Sequence, residues 1–168
     1  EKIYTSMYKA ATRTSVLVGQ VDLIHDRFEV LQCPDYMEGV LTGNTRADLT
    51  LDQIEEQFVA EPFRAEFHQL WEPSTLSARM AENGQLSFYF QDFRNVWFQL
   101  VLVEQGRRAG RPAAVVAIVR DVDAEKRKEV AYQQQLEQAT REARTANAAK
   151  TSFLSRMSHD IRTPLNGI

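Results

Sequence analysis

The feature that most constrains this chain is a stretch of 35 residues, 123–157, that contains neither glycine nor proline. Ala, Glu, Gln, Lys and Arg dominate it, and these are favourable helix formers. Before Asp121 the composition is different, because aromatic and β-branched residues are more common there. The change indicates a packed domain followed by one long helix.

Residues that are small or apolar, with Lys150 as the exception, recur along this helix in alternating steps of four and three. They are Tyr132, Leu136, Ala139, Ala143, Ala146, Lys150, Phe153 and Met157. Such a heptad seam predicts a coiled coil, and we expect a parallel homodimer through residues 123–157. Alanine and lysine in its middle bury little apolar surface, at about 25 cal/mol per Å², so the isolated coil should be marginally stable. A single helix packed on its own domain is the alternative.

The first part of the chain predicts five strands and several short helices. Strands are expected at residues 15–24, 27–32, 86–90, 96–103 and 113–119, the first two joined by a hairpin turn at His25 and Asp26. The links between the last three strands are short and polar, which favours antiparallel pairing. The strand at 96–103 is apolar on both faces except for Gln99, which suggests a central strand covered on both sides.

Helices are expected before and between these strands. Residues 4–12 predict a short helix, and apolar residues at helical spacing predict more between residues 51 and 71. Pro62 suits a first helical position, whereas Pro73 should break or redirect its helix. The pattern predicts an α+β fold with one five-stranded antiparallel sheet.

This order of elements resembles that of PAS sensor domains, in which helices lie across one face of the sheet and leave a small cavity. The resemblance covers about residues 4–123 and is supported by the acidic turn from Asp121 to Lys126, where the last strand passes into the helix. An unrelated five-stranded α+β domain is the alternative.

Charge and composition exclude several classes of function. The formal net charge is -3, so no basic face for nucleic acid is expected. Cys33 is the only cysteine, which excludes an internal disulfide. No apolar run approaches the roughly 20 residues that span a bilayer. We expect a cytoplasmic location, with any membrane anchor of the parent protein outside this chain.

The last residues carry the most specific motif. Residues 149–168 contain Phe153-Leu154 and then Met157-Ser158-His159-Asp160-Ile161-Arg162-Thr163-Pro164-Leu165. This string closely resembles the phosphoacceptor box of the HisKA dimerisation domain in two-component histidine kinases, especially hybrid types. Side chains of very different kinds match at contiguous positions, so a chance match is negligible. The resemblance implies that His159 receives the phosphoryl group in a phosphorelay.

Roles for the neighbouring residues are also implied by this resemblance. Asp160 would hydrogen-bond the histidine and help to deprotonate it during attack on ATP. Thr163, one turn after His159, would position water when the kinase runs as a phosphatase. Pro164 should bend the helix beside the histidine. Arg162 would contact phosphate or an acidic partner, and a surface ion pair is the simpler alternative.

Other candidate groups have no supporting motif. His25 falls in a predicted turn. His68 is the less implausible axial ligand for a haem, yet we assign it as an ordinary helix residue. Cys33 is followed by Pro34 and lacks the helical stretch of flavin photosensors. We therefore assign no cofactor to the PAS-like domain and no metal, and the ligand, if any, is unknown. Trp71, Trp97, Phe88 and Phe90 are expected in the core.

The sequence thus predicts a PAS-like sensory domain (1–122), a coiled-coil signalling helix (123–149) and the start of a phosphoacceptor helix (150–168). The parent would be a sensor histidine kinase whose partner is a response-regulator receiver domain. ATP is the cofactor of the parent, and this chain, without an ATP-binding domain, is expected to be inactive alone. The alternative is a non-enzymatic ligand-binding and dimerisation module of a degenerate kinase.

Overall fold

The computed structural model describes residues 15–41, 43 and 45–166, with side chains described as far as Arg162. The helices are α1 (Asp35–Leu41), α2 (Ala47–Phe58), α3 (Glu61–Leu70), α4 (Pro73–Met80) and α5 (Asp123–Asn166). The strands are β1 (Ser15–Asp22), β2 (Arg27–Gln32), β3 (Gln85–Gln91), β4 (Trp97–Glu104), β5 (Arg107–Arg108), β6 (Arg111–Pro112) and β7 (Ala114–Asp121). The helix predicted at residues 4–12 lies outside the described residues.

Five strands form one antiparallel sheet in the order β2-β1-β7-β4-β3. The last strand of the domain, β7, therefore lies in the middle, paired on one side with β1 and on the other with β4. Four helices connect β2 to β3. The predicted α+β, PAS-like fold with a long C-terminal helix is confirmed.

Prolines mark helix boundaries as predicted. Pro62 lies in the first turn of α3, where a missing backbone donor costs no helical hydrogen bond. Helix α3 ends at Leu70 and α4 begins at Pro73, so this second proline separates two helices. Its ring fixes φ and is compatible with the first helical position but not with an interior one.

The first hairpin is shorter than predicted. Strand β1 ends at Asp22, not at residue 24, because Asp22 Oδ1 accepts the backbone N–H groups of Ile24 and His25, each at 2.9 Å. Asp26 completes the turn with φ 51°. A short acidic side chain that caps the following N–H groups favours a turn over a continued strand.

A small two-stranded ribbon was missed by the sequence prediction. Strands β5 and β6 pair within the predicted polar link between β4 and β7. Ala109 and Gly110 connect them, and both have positive φ, 51° and 75°. Alanine at a left-handed position gives no turn signal in the sequence, because Asn, Asp or Gly is the usual residue there.

The core lies between helices α1 to α4 and one face of the sheet. Along β3, Leu86, Phe88 and Phe90 are buried while the alternate residues are not. Phe67 of α3 packs on Phe88 and Phe90 with ring centroids 6.3 and 6.2 Å away. Burying each such ring contributes about 1.5–3 kcal/mol, so this aromatic cluster stabilises the attachment of α3 to the sheet.

The opposite face of β4 corrects one expectation. Trp97, Gln99, Val101 and Val103 are only half-buried there, although β4 is an interior strand of the sheet. Polar side chains share this face: Gln99 Nε2 donates to Ser87 Oγ at 2.8 Å and to Tyr89 Oη at 3.1 Å, and Arg120 donates to Gln99 Oε1. The three apolar residues on this face, Trp97, Val101 and Val103, are thus only partly covered by the residues that the structure describes. The other three predicted aromatics, Trp71, Phe88 and Phe90, pack in or against the core.

The chain divides into two compact units, Glu1–Asp123 and Ala124–Ile168. The second consists of α5, which continues across residues 149 and 150 and through Pro164 to Asn166. Every described side chain from residue 127 to residue 162 is exposed. No helix of the described residues combines the length and the apolar character that a membrane span requires.

Candidate functional site

The string that contains His159 lies on α5. The side chains of His159 and Asp160 are 80% and 83% exposed, and the histidine Nδ1 is 3.9 Å from the nearest carboxylate oxygen of Asp160. That distance is within ion-pair range but too long for a hydrogen bond. Exposure on this scale makes the imidazole accessible to another domain, and rotation of either side chain can bring the two groups together.

The helical geometry also fixes the side of α5 on which His159 lies. Leu154, Met157 and Ile161 follow one another in steps of three and four and form an apolar row, each 44–57% exposed. At about 100° per residue, His159 lies about 140° to 200° around the helix axis from each of them. The imidazole thus faces away from the row. Leu154 and Ile161 were not part of the predicted seam, although their spacing to Met157 is visible in the sequence.

Polar residues accompany His159 on its own face. Ser155 precedes it by four residues and Arg162 follows by three, so both neighbour it on the helix surface. The side chain of Thr163 lies outside the described part of the chain, and so does that of Pro164. The backbone at both positions is helical. Proline therefore does not end α5, although it removes one backbone donor.

The predicted heptad seam follows one side of the same helix. Its large members, Tyr132, Leu136, Phe153 and Met157, are 44–62% exposed in the single chain. Apolar side chains left in water along one stripe are what a partner helix buries. The structure of one chain contains no partner, so the homodimer stays a prediction.

The first unit has a partly open, mainly apolar cavity of about 120 Å³ beside the sheet. Leu17, Met37, Ile54 and Phe98 are among its lining residues. Its volume equals that of about four water molecules, at about 30 Å³ each. This is smaller than the 300 Å³ or more of typical ligand sites, so the cavity as it stands suits only a small apolar molecule.

One buried charge lines this cavity. Asp92 is 4% exposed, and its carboxylate accepts the backbone N–H groups of Arg94 and Val96 at 2.9 and 3.1 Å. The Arg94 guanidinium donates to the other carboxylate oxygen at 2.8–2.9 Å. These bonds satisfy the buried acid. They also hold the loop between β3 and β4.

The remaining sequence candidates fall at three separate places. His25 Nδ1 is 2.8 Å from Asp22 Oδ2, and this contact lowers the pKa of Asp22. His68 Nδ1 is 3.2 Å from Glu55 Oε2. Cys33 is partly buried; desolvation, followed by the charges of nearby carboxylates, raises the pKa of its thiol. A raised pKa means less thiolate, which makes this cysteine a poor nucleophile.

No family model matches the chain. Among curated proteins it is 37% identical over 79 residues to the aerobic respiration control sensor protein ArcB of Escherichia coli. The matched residues make up 47% of this chain and 9% of ArcB. It is 48% identical over 52 residues to the cell-division control histidine kinase PdhS of Brucella anthropi, 31% of this chain and 4% of PdhS. Over 30 residues it is 67% identical to the sensory/regulatory protein RpfC of Xanthomonas campestris, 18% of this chain and 4% of RpfC.

Two of these relatives are sensory proteins by name and one is a histidine kinase, and the match spans less than a tenth of the length of each. Among solved structures, the chain is similar to a sensory box histidine kinase/response regulator from Burkholderia thailandensis. The TM-score is 0.49 at 14% identity, over 80% of this chain and 98% of that one. The fold is defined by the strand order of the chain itself, β2-β1-β7-β4-β3.

Proposed function

We propose that this chain is the sensory and phosphoacceptor portion of a two-component sensor histidine kinase, with His159 as the residue that is phosphorylated. The observation that carries the proposal is the contiguous string around His159 on an exposed helix face. Its similarity to sensor proteins and histidine kinases supports the same class. The PAS-like unit would detect the signal, with a small apolar ligand in the cavity beside β1 as one form of input.

The chemistry follows from the properties of imidazole. A neutral ring nitrogen of His159 attacks the γ-phosphorus of ATP held by an ATP-binding domain, and the phosphorus–oxygen bond to ADP breaks as the nitrogen–phosphorus bond forms. Asp160 takes the role of general base by accepting the ring proton. The phosphoryl group then passes from His159 to an aspartate of a receiver domain. Thr163 would position the water that attacks the phosphorylated aspartate and releases inorganic phosphate when the protein runs as a phosphatase.

Radiolabelled ATP tests the acceptor directly. In the full-length protein, His159→Gln should abolish label that is lost in acid and retained in base, because an amide cannot form a stable phosphoramidate. His25→Gln is a matched control, since it removes another exposed histidine beside a carboxylate. Acid-labile label that persists in His159→Gln would contradict the assignment. Absence of label in the unmodified protein would favour a degenerate kinase that serves as a binding and dimerisation module.

A further inference from the structure

Helices α2 and α3 bring three metal-binding side chains together. Asp52 and Glu55 are three residues apart on α2 and project from one face of it. His68 lies near the end of α3, 13 positions after Glu55, with its Nδ1 3.2 Å from Glu55 Oε2. One ligand atom from each of the three lies within 4.8 Å of the other two.

The spacing fits a common ion. Ligand atoms bound to a tetrahedral ion at about 2.0–2.2 Å are about 3.3 Å apart. The Glu55–His68 separation already has this value. Asp52 is exposed and Glu55 partly buried, so rotation of the exposed carboxylate can complete the set without moving either helix.

The charge around these three residues favours a cation. They line a cavity of about 310 Å³ whose other acidic residues are Asp22, Asp26, Asp48 and Glu72. Arg46 bonds with Asp26 and Asp48, and this holds the pKa of Asp48 below its usual range. Neither Asp52 nor Glu55 has a Lys or Arg partner among the residues that the structure describes. The negative charge on this side of the cavity is therefore not balanced by any described guanidinium or ammonium group.

We propose that Asp52, Glu55 and His68 bind a divalent transition-metal ion of the zinc class and thereby link α2 to α3. An imidazole ligand favours Zn²⁺ and its neighbours over Ca²⁺ or Mg²⁺, which prefer oxygen. Three protein ligands leave a fourth position for water. The indole N–H of Trp71, which lines the same cavity, is buried and finds no acceptor within the described residues.

The sequence assigned no metal to this chain, for a physical reason. A ligand set from two helices has no fixed short spacing, because the loop between the helices and the angle at which they pack decide which residues meet. Taken alone, Asp52 and Glu55 indicate only a polar face of α2, and His68 indicates only a surface residue of α3. Only packing against the same sheet brings them together.

Calorimetric titration of the chain with ZnCl₂ tests the site. We expect one equivalent of Zn²⁺ to bind and to raise the melting temperature, because an ion bound only by the folded state stabilises it. His68→Gln and Glu55→Gln should each weaken binding at least about tenfold. His25→Gln is the matched control, since His25 and His68 are both 65% exposed and each has a carboxylate at its Nδ1. CaCl₂ should bind far more weakly.

Three outcomes would overturn the proposal. They are Zn²⁺ binding that is unchanged in His68→Gln, binding that is lost in His25→Gln or His159→Gln instead, and no binding at all to the folded chain. Circular dichroism establishes that each variant is folded. If His68→Gln does not fold, Asp52→Asn replaces it, because this side chain is exposed and its amide is isosteric with the acid. The result is independent of phosphorylation at His159, which the ATP assay reports separately.

Discussion

At the scale of single residues, Gly19 shows how tightly the sheet is packed. A Cβ atom at this position would lie 2.7 Å from Cζ of Phe28, on the adjacent strand β2. The register of β1 and β2 shifts between Val18 and Gly19. The Phe28 ring is 6% exposed and belongs to the core, so it cannot swing into solvent to make room. Glycine is required here because the Phe28 ring lies close to its Cα atom, and not because the backbone has an unusual φ angle.

Gly19→Ala should therefore destabilise the domain by about 1–3 kcal/mol, because the added methyl overpacks a buried site. Urea denaturation followed by circular dichroism measures the difference. Gly39→Ala is the matched control: this glycine lies in α1 with nothing within 4 Å of a new Cβ. There alanine should be neutral or stabilising by up to about 1 kcal/mol. Equal effects of the two substitutions would contradict the steric explanation.

At the scale of elements, the β5–β6 ribbon is held by contacts outside itself. Its two-residue turn places Ala109 at φ 51°, where a side chain with a Cβ is disfavoured. Arg107 compensates by bonding at three places: Glu104 Oε1 at 2.7 Å, Gly110 O at 3.2 Å and Met80 O at 3.4 Å. The tertiary contact to the end of α4 supports a turn that local sequence does not favour.

Ala109→Asn should stabilise this ribbon by about 1 kcal/mol, because Asn-Gly is the preferred pair for a turn with two positive φ values. Ala109→Val should destabilise it, since a β-branched residue is least tolerated there. Thermal denaturation of both variants gives the sign of each change. The same melting temperature in both would mean that the turn is not formed in solution.

At the scale of the whole molecule, the two units differ in what stabilises them. The first buries a continuous apolar core, whereas the described side chains of α5 beyond residue 126 are exposed. A long helix gains little from propensity alone and needs an apolar face packed against something. Its stripe of exposed apolar residues is the reason to expect a second copy of the chain.

Single cysteines test that expectation. With Cys33 replaced by serine, Ala139→Cys on the predicted seam should form a disulfide-linked dimer on mild oxidation. Disulfides require Cα atoms about 4.4–6.8 Å apart, as facing seam positions of a parallel coil provide. Arg141→Cys is the control, because residue 141 lies about 200° around the helix from residue 139. Equal crosslinking at the two positions would argue against the seam. Non-reducing gel electrophoresis reads the result.

Much of this protein was determined by sequence, because the signals concerned are local. The alternation of apolar residues in β3, the prolines that begin α3 and α4, and the absence of breakers in α5 each depend on neighbours a few residues away. The string around His159 is local too, and helical periodicity alone gave its direction relative to the seam. For these features the local sequence preference and the tertiary packing favour the same structure.

Other features were decided only by the tertiary structure, because they join residues that are distant along the chain. The central place of β7 depends on pairing with β1, nearly 100 residues earlier, and no local pattern encodes it. The β5–β6 ribbon needs Arg107 and the end of α4. The meeting of Asp52 and Glu55 with His68 needs two helices docked on one sheet. Sequence periodicity gives each element its apolar face, but the packing of those faces determines which polar groups meet at the surface.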